Sequence, residues 1–238
     1  MISPAAQIGK NVSIGENVVI EDGVKIGDNV IIGHNVVIKK DTVIENEVHI
    51  HDLTTLGRYP GTNKKMARKP SLTLSPLIIQ TGAVIGSNCV VYRGVHISEG
   101  VFIGDLASIR ENVRIGRDSI VGRNAIVENK TTVGERVTIQ TGSYVTADMI
   151  IEDDVFIGPC FSSSNDKYMG MGNYAHAGPV IKKGAKIGNN ATLLPSIIIG
   201  EGAIVGAGAV VTKNVAAKDI VVGNPSKPLS KNTKTSAD

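Results

Sequence analysis

An aliphatic residue returns at every sixth position along this chain. The first run goes from Ile8 through Ile14, Ile20 and Ile26 to Ile50, the second from Ile79 to Ile157, and the third from Ile181 to Val211. Together they make 28 positions in three unbroken registers, which chance does not produce. With the aliphatic residue as position one, position five is small or β-branched, as at Val12, Val18, Val24, Ala83, Cys89 and Ala107. Position two is often glycine (Gly9, Gly15, Gly27, Gly104, Gly116), and Asn and Asp gather at positions three and four. A helix turning every 3.6 residues would smear a period of six around its surface. Short strands joined by tight turns satisfy it, because β-branched residues suit strands and Gly, Asn and Asp suit turns.

Three hexads make one coil of about eighteen residues with a triangular section, so positions one and five fill a narrow interior. The 28 hexads predict roughly nine coils. At the spacing of neighbouring strands they form a prism about 45 Å long. The fold expected is all-β, a parallel β-helix of hexapeptide repeats over residues 1–215, with a C-terminal extension at 216–238. The composition agrees: aromatics are 3% of the chain, tryptophan is absent and glycine numbers 27, as a core of Ile, Val and Ala requires. The last ten residues are polar and are predicted to be disordered.

Two segments break the period, 51–78 and 158–180. The first carries Arg58, Lys64, Lys65, Arg68 and Lys69 with no acid between them, the composition of a loop that holds a diphosphate or other anion. The second carries Asn165, Asp166, Tyr168 and Met169 among several glycines. The register returns at Ile181, 24 residues after Ile157, so this loop leaves and rejoins the prism in phase. Long loops in a compact repeat are commonly functional.

Residues eighteen apart stack on neighbouring coils. Arg93, Glu111 and Asn129 therefore form one outward column at position three, beside Tyr92, Arg110 and Glu128 at position two. A guanidinium, a carboxylate and an amide in one column could orient and deprotonate an amine. A second column holds Asp105, Arg123 and Thr141. A third, Glu99, Arg117, Glu135 and Asp153, alternates in sign and reads as a salt-bridge ladder. The histidines His34, His49, His51, His96 and His176 show no metal-ligand spacing, and no metal is expected. Cys89 falls at an inward position and is expected to be buried and inert. A net charge of +3 gives no reason to expect nucleic-acid or membrane binding. The two cysteines and the absence of signal-peptide features at Met1–Pro4 predict a reducing, cytoplasmic setting.

The hexad resembles the hexapeptide-repeat acyltransferases, whose fold is a left-handed parallel β-helix. The stretches Ile103–Glu111, Asn165–Met169 and Gly223-Asn224-Pro225-Ser226-Lys227 look like the branch that acylates nucleotide-linked amino sugars. That resemblance implies a homotrimer with active sites between subunits, and acetyl-CoA or another acyl-CoA along the C-terminal coils. Carried onto this chain it implies Asp105 and Glu111 as the groups that bind or deprotonate the amine, with Asn129 orienting it. It also implies Arg58, Lys64, Lys65, Arg68, Arg93, Arg110, Asn165, Asp166, Tyr168 and Met169 toward the sugar nucleotide, and Gly206, Ala207 and Lys213 toward CoA. An O-acyltransferase, a tetrahydrodipicolinate-type N-acyltransferase and a non-enzymatic scaffold share the same repeat and stay open as alternatives.

Overall fold

The computed structural model describes residues 1–66, 68–71, 73–171 and 175–229. The chain winds into a parallel β-solenoid, the left-handed β-helix fold. Its three faces begin at Gln7–Ile8 (face I), Ser13–Ile14 (face II) and Val19–Ile20 (face III) and contain 10, 12 and 10 strands. Most strands are two residues long, and each pairs with the strand one coil on, as Ile14 does with Ile32. Positions one and five form one continuous core of Ile, Val and Ala. Polar side chains at position five bond the next coil: Ser119 Oγ donates to the Gly134 carbonyl at 2.9 Å and Thr131 Oγ1 to that of Thr146 at 3.0 Å. Among the described residues no helix is long and apolar enough to cross a membrane.

The corners show why two positions of the hexad take small or turn-forming residues. Position four has a left-handed backbone coil after coil: Asn11, Asn17, Asn29, Asn35 and Asn112 lie at φ between 55° and 61°, where Asn and Gly carry the smallest steric cost. Position two needs glycine for another reason. A Cβ on Gly116 would lie 2.5 Å from both the carbonyl carbon and oxygen of Gly134, because adjacent coils pass each other there.

The solenoid extends further than the three aliphatic runs. Leu56 continues the first run in phase and is buried, and Thr55–Arg58 pairs with Val37–Ile38 and Val90–Tyr92. Ser163 continues the second run, and Ser162–Ser163 pairs with Thr192–Leu193. The excursions from the prism are therefore 59–77 and 164–179, shorter than the breaks in the pattern at 51–78 and 158–180. Face III has ten strands where the aliphatic runs mark eight, because Leu56 and Ser163 belong to coils, and faces I and III thus show ten layers where the hexad count predicts about nine. Beyond Val211, Ile220–Val222 adds to face II and Lys227–Pro228 folds back antiparallel on it. From residue 230 onward, the disorder expected for the terminus lies outside the described residues.

Candidate functional site

Both excursions leave the prism at the same corner. Thr55–Arg58 and Ser162–Ser163 are face III strands, and the chain re-enters on face I at Ile78–Ile79 and Val180–Ile181. The stretch of corner between them holds Tyr92-Arg93, Arg110-Glu111, Glu128-Asn129 and Thr146-Ala147-Asp148. The first excursion runs down this corner like a strap. Its root is tied by the Arg93 N–H to the Arg58 carbonyl at 3.0 Å and the Gly94 N–H to the Ser75 carbonyl at 2.8 Å. Its tip is tied by the Arg68 guanidinium, whose Nη1 and Nη2 both donate to the Asp148 carboxylate, the latter at 3.1 Å. The Asp148 hydrogen bond raises the pKa of Arg68 above its ordinary value.

Beneath the strap is a groove of about 290 Å³. It is lined by Met66, Arg68 and Pro70 of the strap, by Arg110, Glu111, Glu128, Asn129, Tyr144, Thr146 and Ala147 of the prism, and by Asn165 and His176 of the second excursion. Glu111 sits at the back of it. Its Oε2 accepts from Arg110 Nε at 3.0 Å, and its Oε1 accepts from Arg110 Nη2 at 3.3 Å and Asn129 Nδ2 at 3.2 Å. Arg110 Nη1 also reaches Glu128 Oε2 at 3.4 Å. Burial opposes the charge on Arg110, but the hydrogen bond and charge of Glu111 outweigh it, and the guanidinium pKa lies above its ordinary value. The Tyr144 phenol is pushed up, first by burial and then by the Glu128 anion. The guanidinium carbons of Arg58 and Arg110 both lie over the Tyr92 ring, 5.6 and 5.0 Å from its centre.

The predicted column divides. Glu111 and Asn129 are joined, but Arg93 is directed to the preceding coils. It donates to the Lys40 carbonyl, approaches Asp41 at 3.8 Å and lies 4.7 Å over the Tyr59 ring. Nor does the column face outward: Arg93 is 4% exposed and Glu111 2%, because the strap covers them. Arg93 Nε is buried without a partner among the described residues, and it is the backbone N–H to Arg58 and the approach to Tyr59 by which Arg93 anchors the root of the strap. Asp105 stands on a different corner, between faces II and III. There its Oδ1 accepts the Ser87 N–H at 2.9 Å. Asp28, Asp52 and Asp153 make the same bond to the coil before them. Asp105 is thus a rung that keeps coils in register, apart from Glu111.

Other predicted residues spread along the same corner. Lys64, Lys65 and Lys69 are exposed on the strap. Asp166 shapes the second excursion by accepting the N–H groups of Tyr168 at 2.9 Å and Gly170 at 2.6 Å, and these bonds lower its pKa. Lys167 lies 5.9 Å from the Tyr168 ring centre. A second groove of about 460 Å³ continues toward the C-terminal coils, lined by Ser164, Asp166, Lys167, Met169, Leu194, Pro195, Ser196 and Thr212. Lys213 follows at its end, exposed. Gly206 and Ala207 lie on the corner between faces II and III, away from this groove. Glu128, Tyr144, Thr146 and His176 were not singled out from sequence as site residues. The eighteen-residue ruler puts Glu128 beside Asn129, but only the path of the second excursion brings His176 over. His49 and His51 stack at 4.2 Å, and burial first, then the neighbouring imidazole, lowers the pKa of His49. His34 Nδ1 accepts the Glu16 N–H at 2.9 Å. Among the described residues no group of three or more His, Cys, Asp or Glu is placed to hold a metal ion.

The fold and this corner groove define a β-solenoid repeat protein with a cleft at one corner. The family model described as bacterial transferase hexapeptide (six repeats) matches residues 5–40 and 178–213, and that of the GMPPB C-terminal domain matches 70–167. Over those segments the chain is similar to the hexapeptide-repeat transferases, and its repeat and fold agree with that likeness. It is 37% identical over 91 residues to the serine acetyltransferase of Buchnera aphidicola, spanning 38% of this chain and 34% of that protein. The chain thus aligns with about a third of that relative's length. Among solved structures, WeeI of Acinetobacter baumannii is 30% identical with a TM-score of 0.48, covering 56% of this chain and 59% of that one. The acetyltransferase domain of PglB from Neisseria gonorrhoeae, solved with acetyl coenzyme A, is 27% identical with a TM-score of 0.48, covering 54% and 57%.

Proposed function

We propose that this protein is an acyl-CoA-dependent N-acyltransferase, using acetyl-CoA, that acylates the amino group of a dTDP- or UDP-linked amino sugar. The observation that carries this reading is the convergence of both excursions on one corner, over a carboxylate, guanidinium and amide cluster. A groove of about 290 Å³ is at the small end of ligand sites. It suits the reacting sugar, with the nucleotide diphosphate outside it against Lys64, Lys65 and Lys69 of the strap. The neighbouring groove combines the apolar Met169 and Leu194 with Lys167, and Lys213 stands at its end. That lining fits the pantetheine arm and phosphates of an acyl-CoA, with the thioester toward the first groove at Ser164–Asp166, where Asn165 lines one groove and its two neighbours the other.

Chemistry at this corner is direct. Among the described residues no Ser or Cys lines the first groove, which favours attack of the amine itself on the thioester carbonyl without an acyl-enzyme. Glu111 fixes the Arg110 guanidinium and the Asn129 amide, and the groove holds amine and thioester near attack distance, where positioning contributes most. The active form is a homotrimer in the cytoplasm. Face II supports the trimer, since its outward Phe102, Ile120 and Phe156 are exposed large apolar side chains on one strip.

The test is thiol release over a panel of acyl-CoAs with dTDP- and UDP-amino sugars. Turnover is expected with at least one nucleotide amino sugar and acetyl-CoA. Turnover with free amines and none with nucleotide sugars would overturn the assignment.

A further inference from the structure

The groove contains two carboxylates on adjacent coils, and they are not equivalent. A carboxylate offers about four lone-pair sites. Glu111 commits three of them, two to Arg110 and one to Asn129, and its side chain is only 2% exposed. It has little left to offer a ligand. Glu128 makes one long contact, 3.4 Å from Oε2 to Arg110 Nη1, and its side chain is 22% exposed into the groove. Arg110 serves both: it is clamped side-on to Glu111 and turns its remaining nitrogen to Glu128, holding that carboxylate at the groove wall.

We infer that Glu128 is the carboxylate that receives the substrate's amine. The inference rests on the acyl-transfer reading of this groove and names the acid–base group within it. The amine arrives as an ammonium ion, docks on the Glu128 carboxylate and gives one proton to solvent, which frees the lone pair of the neutral amine; the proton lost during attack is its second. As the nitrogen attacks the thioester carbonyl, the C–N bond forms and the nitrogen loses a proton to Glu128. The C–S bond then breaks, its electron pair leaves on sulfur, and the proton passes from Glu128 to the thiolate. Glu111 is a positioning residue, acting through Arg110 and Asn129. The charged and titratable groups around Glu128 are Arg110, Glu111 and Tyr144 of the prism, Arg68 of the strap and His176 of the second excursion. Of these, His176 is the rival proton acceptor.

The test compares Glu128→Gln, Glu128→Asp, Glu111→Gln and His176→Gln by kcat/KM against pH, with thermal unfolding of each. Removing a general base costs about 10²–10⁴-fold. Glu128→Gln is expected to lose at least a hundredfold and to flatten the acidic limb at unchanged Tm, and Glu128→Asp to restore the limb at reduced rate. Glu111→Gln should lower Tm and keep the limb, and His176→Gln should keep it too. A Glu128→Gln enzyme within threefold of wild type, or loss of the limb in His176→Gln alone, overturns the inference. If wild type acylates only simple amines and Glu128→Gln abolishes that reaction, the nucleotide-sugar assignment fails and the role of Glu128 stands.

Discussion

Replacing Asp148 by alanine should free the tip of the strap. From its root at Arg58 to its tether at Asp148 the strap crosses four coils, about 19 Å at the strand spacing. Between residues 60 and 74, the Arg68–Asp148 pair is the polar tie to the prism among the described residues. The side chains are 33% and 24% exposed, so the pair belongs near the top of the range for surface pairs, about 1 kcal/mol, and its forked geometry favours that end. One kilocalorie per mole changes the open population about fivefold. The exposed Lys64 and Lys65 are trypsin sites, whereas the Lys69–Pro70 bond resists the protease, and cleavage tracks the open population where reclosing is fast. Limited trypsinolysis of Asp148→Ala should therefore cut at these lysines about five times faster than wild type, and Arg68→Ala should match it at its remaining sites. The double variant should add nothing, and 1 M salt should move wild type toward the variants by screening the pair. Equal rates in wild type and Asp148→Ala would show that the strap is held by something other than this ion pair, and would refute the argument.

Gly116→Ala should cost about 1–3 kcal/mol by overpacking, read as a lower Tm, since the added Cβ meets Gly134 at 2.5 Å. Gly82→Asn should change Tm little, because Gly82 lies at φ 70° with nothing within 4 Å of a Cβ, at the position where Asn recurs. A thiol reagent at pH 8 should label Cys160, which is exposed, and spare Cys89, whose thiol burial pushes up to about 11. Labelling of both at equal rates in the folded protein would contradict the inward placement of Cys89.

The burial of Cys89 and the ladder of Arg117 with Glu135, 3.3 Å apart, follow from counting in sixes and eighteens. So do the strand faces, because the repeat is local: each hexad carries its own strand and turn signal, and stacking only copies it. The count falls short where the signal is weak. Leu56 and Ser163 keep the phase, but one stands next to a basic loop and the other is a serine, so the legible pattern stops before the coil does.

The site is a different matter. That Glu111 and Asn129 share a corner is arithmetic, and so is the adjacency of Glu128. That Arg93 turns away to Lys40 and Tyr59, that Asp105 serves as a rung on another corner, and that Glu111 is buried are not. The hexad specifies a position at a corner, but side-chain direction there depends on what covers the corner, and that is set by two excursions whose own sequences have no period. The sequence by itself determined the prism, its inward residues and its stacked columns, because these arise from interactions repeated every coil. Only the tertiary structure decided which column becomes a groove. The strap and the second excursion reach it from tens of positions away, as Met66 does over Glu111 and Asn165 over Asn129, and the Arg68–Asp148 contact that closes it spans 80 positions and is written in neither segment alone.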